Sequence, residues 1–212
     1  MGSLVLTVGT GSTWAMRASL VLAMSGLEWQ EQVFDLEDAK ALARLKRTAP
    51  AGLVPWLDDG ELRIHDSLAI AEYLHELCPA RHLYPVDRAE RALARSLCAE
   101  LHSGFGQIRS RLPFFLGAPT QSEPPVETLG ELARLQTLWS QARGPFYFEE
   151  AGILDAFYAV MAYRLASYGI GLPGQAGAYQ QALLAWPLWQ ETLVKARLQW
   201  PGSRHEVKGP VQ

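Results

Sequence analysis

Two hydroxyls, Ser12 and Thr13, open an apparent helix directly after a short apolar run and the turn Gly9-Thr10-Gly11. A hydroxyl at such a point meets backbone N–H groups without intrahelical partners and the positive end of the helix dipole, a setting that favours a bound anion such as a thiolate. The same placement serves plain helix capping. Gly9-x-Gly11 is a turn and nothing more, because the third glycine and the helix spacing of a dinucleotide loop are missing. A second pair, Asp66-Ser67, opens another helix. There the N–H groups and the Ser67 hydroxyl can donate to a ligand carboxylate, and the Asp66 carboxylate can accept from an ammonium, so an amino-acid head group fits; a simple cap is again the alternative. The third element is Pro55, which cannot donate to a strand ladder and leaves the backbone of Val54 available to an extended ligand.

The elements that position these residues follow from local pattern. Leu4–Val8 reads as a strand, and the stretch from Ser12 or Thr13 to Met24 as an amphipathic helix ended by Ser25-Gly26. A second strand is expected over Trp29–Phe34, then a charged helix from about Glu37 to Arg47 that stops before Pro50. Asp58-Asp59-Gly60 between Val54–Leu57 and Leu62–Ile64 predicts a β-hairpin, with Pro55 at an edge, a bulge or an unusual peptide bond. Leu68, Ile70, Ala71, Leu74 and Leu77 repeat at helical spacing behind Asp66. Cys78–Val86 carries two prolines and no periodicity and reads as a connection. Beyond it, Asp87–Leu112, Val126–Arg143, Ile153–Tyr168, Gly177–Ala185 and Leu188–Leu198 are helical in pattern, with Ala118–Pro125 the longest polar loop. The expected fold class is therefore α/β followed by all-α: residues 1–78, residues 87–200, and a flexible tail at 201–212 with too few apolar residues to pack by itself.

Composition narrows the function. In 212 residues, 49% are apolar and 19% charged, and 19 Lys+Arg against 22 Asp+Glu leave a net charge of −3. That balance fits a folded globular chain and builds no basic footprint for nucleic acid or anionic lipid. Every apolar stretch is interrupted well before a membrane span's length of about 18 residues. The first residues lack a secretory signal's pattern, so a cytoplasmic protein is expected. Cys78 and Cys98 form no C-x-x-C and read as ordinary half-buried thiols; no metal-ligand spacing, serine elbow or nucleotide loop occurs.

With those residues in place, the sequence resembles a known family. Ser12-Thr13-Trp14-Ala15-Met16-Arg17, TAPAGLVPWL (Thr48 to Leu57), HDSLAIAEYL (His65 to Leu74) and AELHSGF (Ala99 to Phe105) look like cytosolic glutathione S-transferases, and more narrowly like bacterial members of the serine type related to the zeta class. GPFYF (Gly144 to Phe148), Asp155-Ala156 and AWPLWQ (Ala185 to Gln190) extend the likeness to about Leu198. The resemblance implies a thioredoxin-like N-terminal domain that binds glutathione, an all-helical C-terminal domain, a cis peptide between Val54 and Pro55, and a homodimer. It assigns Ser12, with Thr13 as its neighbour, to the glutathione sulfur, and Leu53, Val54 and Pro55 to the tripeptide, with the Val54 backbone pairing the cysteinyl unit. Asp66 and Ser67 would hold the γ-glutamyl head. Trp14, His102, Phe105, Arg109 and Phe114 become candidate walls for a second, small electrophilic substrate.

Some positions depart from the family's pattern. Leu53 stands where Lys, Arg or Gln often helps hold the peptide, and Lys46 and Arg47 are either substitutes or solvated helix-end charges. Gly11 replaces an aromatic before the serine, and Gly152 replaces a capping Ser ahead of Asp155, which reads as structural. Arg17 either biases the site electropositively or pairs with a carboxylate of the fold. The implied activity is conjugation of glutathione to small electrophiles. The alternatives are glutathione-dependent cis–trans isomerisation of an unsaturated diacid, as zeta relatives perform, and a binding or regulatory module without turnover.

Overall fold

A computed structural model of the chain describes residues 3–200. The expected flexible tail at 201–212 lies outside the described residues. The chain divides into two compact units, residues 3–83 with 191–200, and residues 84–190.

The first unit is built on a four-stranded sheet of order β2-β1-β3-β4. Strand β1 (Leu4–Gly9) is central and almost wholly buried, as a strand covered on both faces must be. It pairs in parallel with β2 (Trp29–Phe34) and antiparallel with β3 (Trp56–Asp59), which turns at Gly60 (φ +61°) into β4 (Leu62–His65). Helices α1 (Thr13–Ser25) and α3 (Ser67–Leu77) pack on one another. Helix α2 (Ala39–Thr48) joins a separate cluster of Phe34, Leu45, Ala49 and Trp56. The arrangement is the thioredoxin-like domain expected from sequence.

Local expectations need some correction here. Helix α1 is buried around most of its circumference from Ala15 to Leu22 rather than along one stripe. Helix α2 starts at Ala39 rather than Glu37, because the Asp38 carboxylate accepts the Ala41 N–H at 2.7 Å and so fixes the cap. Strand β3 begins at Trp56, after the proline, and the Val54–Pro55 peptide is cis. Of the expected connection Cys78–Val86, Pro79–Arg81 forms a 3₁₀ turn. Both cysteines are buried, not half-buried, and neither forms a disulfide among the described residues.

The second unit is helical, as expected: α4 (Arg88–Ser103), α5 (Gly106–Arg111), α6 (Leu129–Trp139), α7 (Ile153–Ala166) and α8 (Gly174–Ala185), with the start of α9 (Pro187–Gln199). The pattern read as one helix over Asp87–Leu112 is two. Phe105 adopts φ +57°, and the chain re-initiates as α5, whose Gln107 and Ile108 N–H groups donate to Glu131 at 3.1 and 2.8 Å. The apolar spacing of Leu101, Phe105 and Ile108 runs straight through the break, so periodicity conceals it. The helix expected over Val126–Arg143 opens instead with a 3₁₀ turn, Val126–Thr128, and closes at Trp139; α8 begins at Gly174 rather than Gly177. At the centre lie the edge-on rings of Trp139, Tyr158 and Tyr179, with centroids 5.5–6.3 Å apart.

Candidate functional site

Register gathers the first unit's predicted residues at one edge of its sheet. Thr7 on β1 lies opposite Trp56 on β3, which lies opposite His65 on β4. Strand β1 therefore ends, β3 begins and β4 ends on the same side. The turn to Ser12, the Val54–Pro55 peptide and Asp66-Ser67 all emerge there, although more than fifty residues separate the first from the last. A bond from the Asp66 N–H to the Pro55 carbonyl, 3.4 Å long, ties two of the three together.

Ser12 is the N-cap of α1 and accepts the Ala15 N–H at 3.3 Å, while its own N–H donates to the Gly9 carbonyl at 3.0 Å. Capping uses a lone pair of the oxygen and leaves the hydroxyl proton, which goes to no group among the described residues. The two roles considered for Ser12 are thus compatible. No acidic residue stands in the first turn of α1 to compete with an anion for its positive end. Thr13 is buried, at the first helical position. Gly11 (φ +70°) has nothing within 4 Å of where a Cβ would lie, so the turn is open in front of the serine. Trp14 is half-buried and takes the Arg17 guanidinium over its ring at 4.5 Å, with Arg17 itself buried. Thr10 passes in sequence for a turn residue only; in the fold its buried hydroxyl accepts the Leu36 N–H at 2.9 Å and donates to Asp35 at 3.3 Å.

Val54 forms no hydrogen bond through either backbone group among the described residues, a consequence of β3 starting two residues later. Leu53 beside it is 68% exposed. Lys46 and Arg47 are exposed in the last turn of α2. Asp66 (φ +78°) caps α3 by accepting the Leu68 and Ala69 N–H groups through one oxygen, at 2.8 and 3.2 Å. Ser67 is buried, and its hydroxyl has no partner among the described residues. A buried hydroxyl left without a bond is costly, and Ser67 shares that condition with Thr7 and Ser19 of the same unit.

The second unit holds the remaining predicted residues. Arg109 directs its guanidinium to the Leu101 and His102 carbonyls at 3.2 and 3.4 Å, where it satisfies the C-terminal end of α4 beside the break. Burial lowers its pKa and Glu131 opposes that shift. Phe105 is 5% exposed, whereas His102 and Phe114 are half-buried, Phe114 against Tyr163 at 5.5 Å. Asp155 is buried and accepts three bonds, from the Tyr179 hydroxyl at 2.6 Å and from the Tyr147 and Gly152 N–H groups at 2.9 Å each. It caps its own helix across the glycine.

A cavity of about 850 Å³ opens at the opposite edge of the sheet, lined among others by Leu4, Trp29, Asp59 and Leu77. Asp59 already accepts the Tyr73 hydroxyl at 2.7 Å, and Lys195 lies 3.7 Å from the centre of the Trp29 ring. Volume and chemistry disagree here, and the edge with unsatisfied polar groups is the better candidate. Among the described residues no group of His, Cys, Asp and Glu could hold a metal ion, and no helix is long and apolar enough to cross a membrane.

Residues 11–77 match the family described as glutathione S-transferase, N-terminal domain. A probable maleylacetoacetate isomerase of Caenorhabditis elegans is 36% identical over 100 residues, 47% of this chain and 46% of that protein. Its counterpart in Vibrio cholerae is 37% identical over 109 residues, 48% and 51% of the two. The chain thus spans about half the length of the curated relatives it matches. Over nearly the whole chain, a glutathione transferase homologue from Burkholderia, solved with bound glutathione, superimposes with a TM-score of 0.72 at 27% identity, covering 92% of this chain and 98% of the other.

Proposed function

From the match of residues 11–77 to the glutathione S-transferase N-terminal domain and the likeness to a solved glutathione transferase homologue, we propose that this chain is a glutathione transferase in which the Ser12 hydroxyl stabilises the thiolate of bound glutathione for attack on small electrophiles. One observation carries this reading: a single sheet edge leaves the Ser12 proton, both backbone groups of Val54 and the buried Ser67 hydroxyl without partners among the described residues. A tripeptide supplies the complement of each. Its cysteinyl backbone pairs with Val54, its γ-glutamyl group meets Ser67 and Asp66, and its sulfur faces Ser12 at the positive end of α1. Thr13, buried at the helix start, and Leu53 and Pro55, flanking Val54, complete the set.

The energetic demand is modest. A thiol with a pKa near 8.5 is only a few per cent ionised at neutral pH, and lowering it by about two units needs roughly 2.7 kcal/mol of preferential thiolate stabilisation. A hydrogen bond to a charged acceptor, worth about 1.5–3 kcal/mol, plus a helix terminus covers that. The sulfur then forms a bond to the electrophilic carbon as the leaving group departs with its electron pair. Activation and positioning are the protein's contribution. The reading includes a homodimer working in the cytoplasm.

The kinship with probable maleylacetoacetate isomerases supports a second reading. In it the thiolate adds to a conjugated cis double bond, the resulting carbanion rotates about the new single bond, and elimination returns the thiolate and the trans product. A diacid calls for cationic contacts. Arg109 is engaged with helix-end carbonyls and Arg17 is buried over Trp14, which favours the transferase.

Titration of the sulfur in the protein–glutathione complex tests the proposal. A sulfur pKa about two units below the free tripeptide's, restored in Ser12→Ala, is expected; a pKa equal to that in free solution in the wild type overturns it. Turnover of a maleyl-type diacid far above that of an aryl halide would select the isomerase, and retention on glutathione resin without turnover a binding module.

A further inference from the structure

Only Gly11 separates Thr10 from Ser12, and it lies at φ +70° in open space. A glycine so placed constrains nothing around it. Within the turn, the bond from the Ser12 N–H to the Gly9 carbonyl is the one backbone bond that closes it. Thr10, by contrast, is anchored to a segment some twenty-five residues away. Its N–H extends the β1–β2 ladder to the Phe34 carbonyl at 2.9 Å. Its hydroxyl, 8% exposed, uses both capacities at once, accepting from the Leu36 N–H at 2.9 Å and donating to the Asp35 carboxylate at 3.3 Å. The same Asp35 oxygen also accepts the Glu37 N–H at 3.0 Å, which holds the carboxylate in place. Leu36 closes over the turn so tightly that a Cβ on Gly9 would lie 2.7 Å from its side chain.

We infer that Thr10 is a positioning residue whose buried hydroxyl bolts the turn carrying Ser12 to the Asp35–Leu36 segment and so fixes the direction of the Ser12 hydroxyl. The inference rests on the transferase reading for its catalytic consequence and on the hydrogen bonds alone for its structural one. The physical link is the steep angular dependence of a hydrogen bond: a serine that swings by a fraction of an ångström still caps α1, but it no longer points its proton at a sulfur held elsewhere. Thr10 itself is unsuited to donate to sulfur, since its proton goes to Asp35.

The test uses the full chain with three substitutions. Thr10→Val keeps the shape and removes the hydroxyl, Thr10→Ser keeps the hydroxyl, and Asp35→Ala breaks the bolt from the exposed side. In Thr10→Val the bound sulfur's pKa is expected to rise by about one unit and kcat to fall about tenfold, while glutathione affinity stays within about twofold. Hydrogen exchange at the Leu36 amide, slow in the wild type, should become fast. Thr10→Ser should restore every readout, and Asp35→Ala should move them in the same direction by less.

Three results overturn the inference: a folded Thr10→Val with the wild-type sulfur pKa and kcat, a Thr10→Ser that falls as far as the valine, or an unchanged Leu36 amide in Thr10→Val. A loss of turnover beyond about 10³-fold with Leu36 still protected belongs to the last case and would mean that Thr10 acts on the sulfur directly. Were the wild-type protein to leave glutathione's sulfur titrating as in free solution, the transferase reading would fail, and amide exchange alone would decide whether Thr10 holds the turn.

Discussion

The sheet edge of the first unit and three buried side chains of the second contrast in how their polar groups are met, although Trp139 Nε1, the Tyr158 hydroxyl and Trp189 Nε1 of the second unit also have no partner among the described residues. At the sheet edge of the first, the Ser12 proton, the Val54 backbone and the Ser67 hydroxyl find no partner among the described residues. In the second, the buried Asp155 accepts three donors, the buried Gln180 serves the Leu172 N–H and the Ile170 carbonyl, and the buried Arg164 donates to the Leu112 carbonyl at 2.7 Å. Buried polar groups satisfied within a fold hold its helices in one arrangement. Groups left unsatisfied at a surface edge lower the stability of the free protein and are recovered when a ligand binds. A polar group's contribution to function therefore reads better from the bond it lacks than from its residue type.

Ser12→Ala should break the comparison most sharply if it is wrong. The expected loss is about 10²–10³ in kcat/KM with an aryl halide, comparable to removal of a donor to a developing anion. Thermal stability should fall by only about 1 kcal/mol, the worth of a cap. A large loss of stability with a small loss of rate would make Ser12 a structural residue like Asp155.

Asp155 supplies the reverse case. Burial pushes its carboxyl up from 3.8 to about 6, against the opposing bonds from Tyr179, Tyr147 and Gly152. The folded protein therefore keeps a proton that the unfolded chain releases above about pH 4. From this group, stability is greatest below that pH and declines as pH rises to about 6, by at most about 3 kcal/mol. Urea unfolding across that window should show the decline in the wild type and lose it in Asp155→Asn. The amide also places an N–H donor against the Gly152 N–H, so the variant should be about 2–4 kcal/mol less stable at acid pH, while the pKa of glutathione's sulfur stays unmoved.

The finest discrimination comes from deleting one hydroxyl in each unit. Tyr179→Phe removes the 2.6 Å bond to Asp155 and should cost about 1–2 kcal/mol of stability with no change in glutathione KM. Ser67→Ala removes a buried hydroxyl that bonds nothing among the described residues, so stability should hold or rise by a few tenths of a kcal/mol while glutathione KM rises severalfold. Calorimetry and steady-state kinetics on the pair settle it; a destabilised Ser67→Ala would place that hydroxyl with the scaffold.

Much of this was legible residue by residue. The cap at Ser12, the cap at Asp66 and the hairpin at Asp58-Asp59-Gly60 each depend on a few neighbours in sequence, and each stands as expected. What failed was local pattern under tertiary override. The α4–α5 break is hidden by apolar spacing that continues across it, and it is held by Glu131 from another helix. The carbonyls that the Arg109 guanidinium meets were likewise not legible from its sequence position.

The sequence by itself determined which groups sit at helix starts and where a proline interrupts a strand, because caps and turns are closed by bonds spanning two to four residues. Tertiary structure alone decided that Ser12, Val54 and Ser67 share one edge and that Thr10 is anchored to Asp35. Those facts follow from strand register and from bonds between residues some twenty-five or more positions apart, and no local pattern encodes which buried polar group will find its partner in the fold and which is left for a ligand.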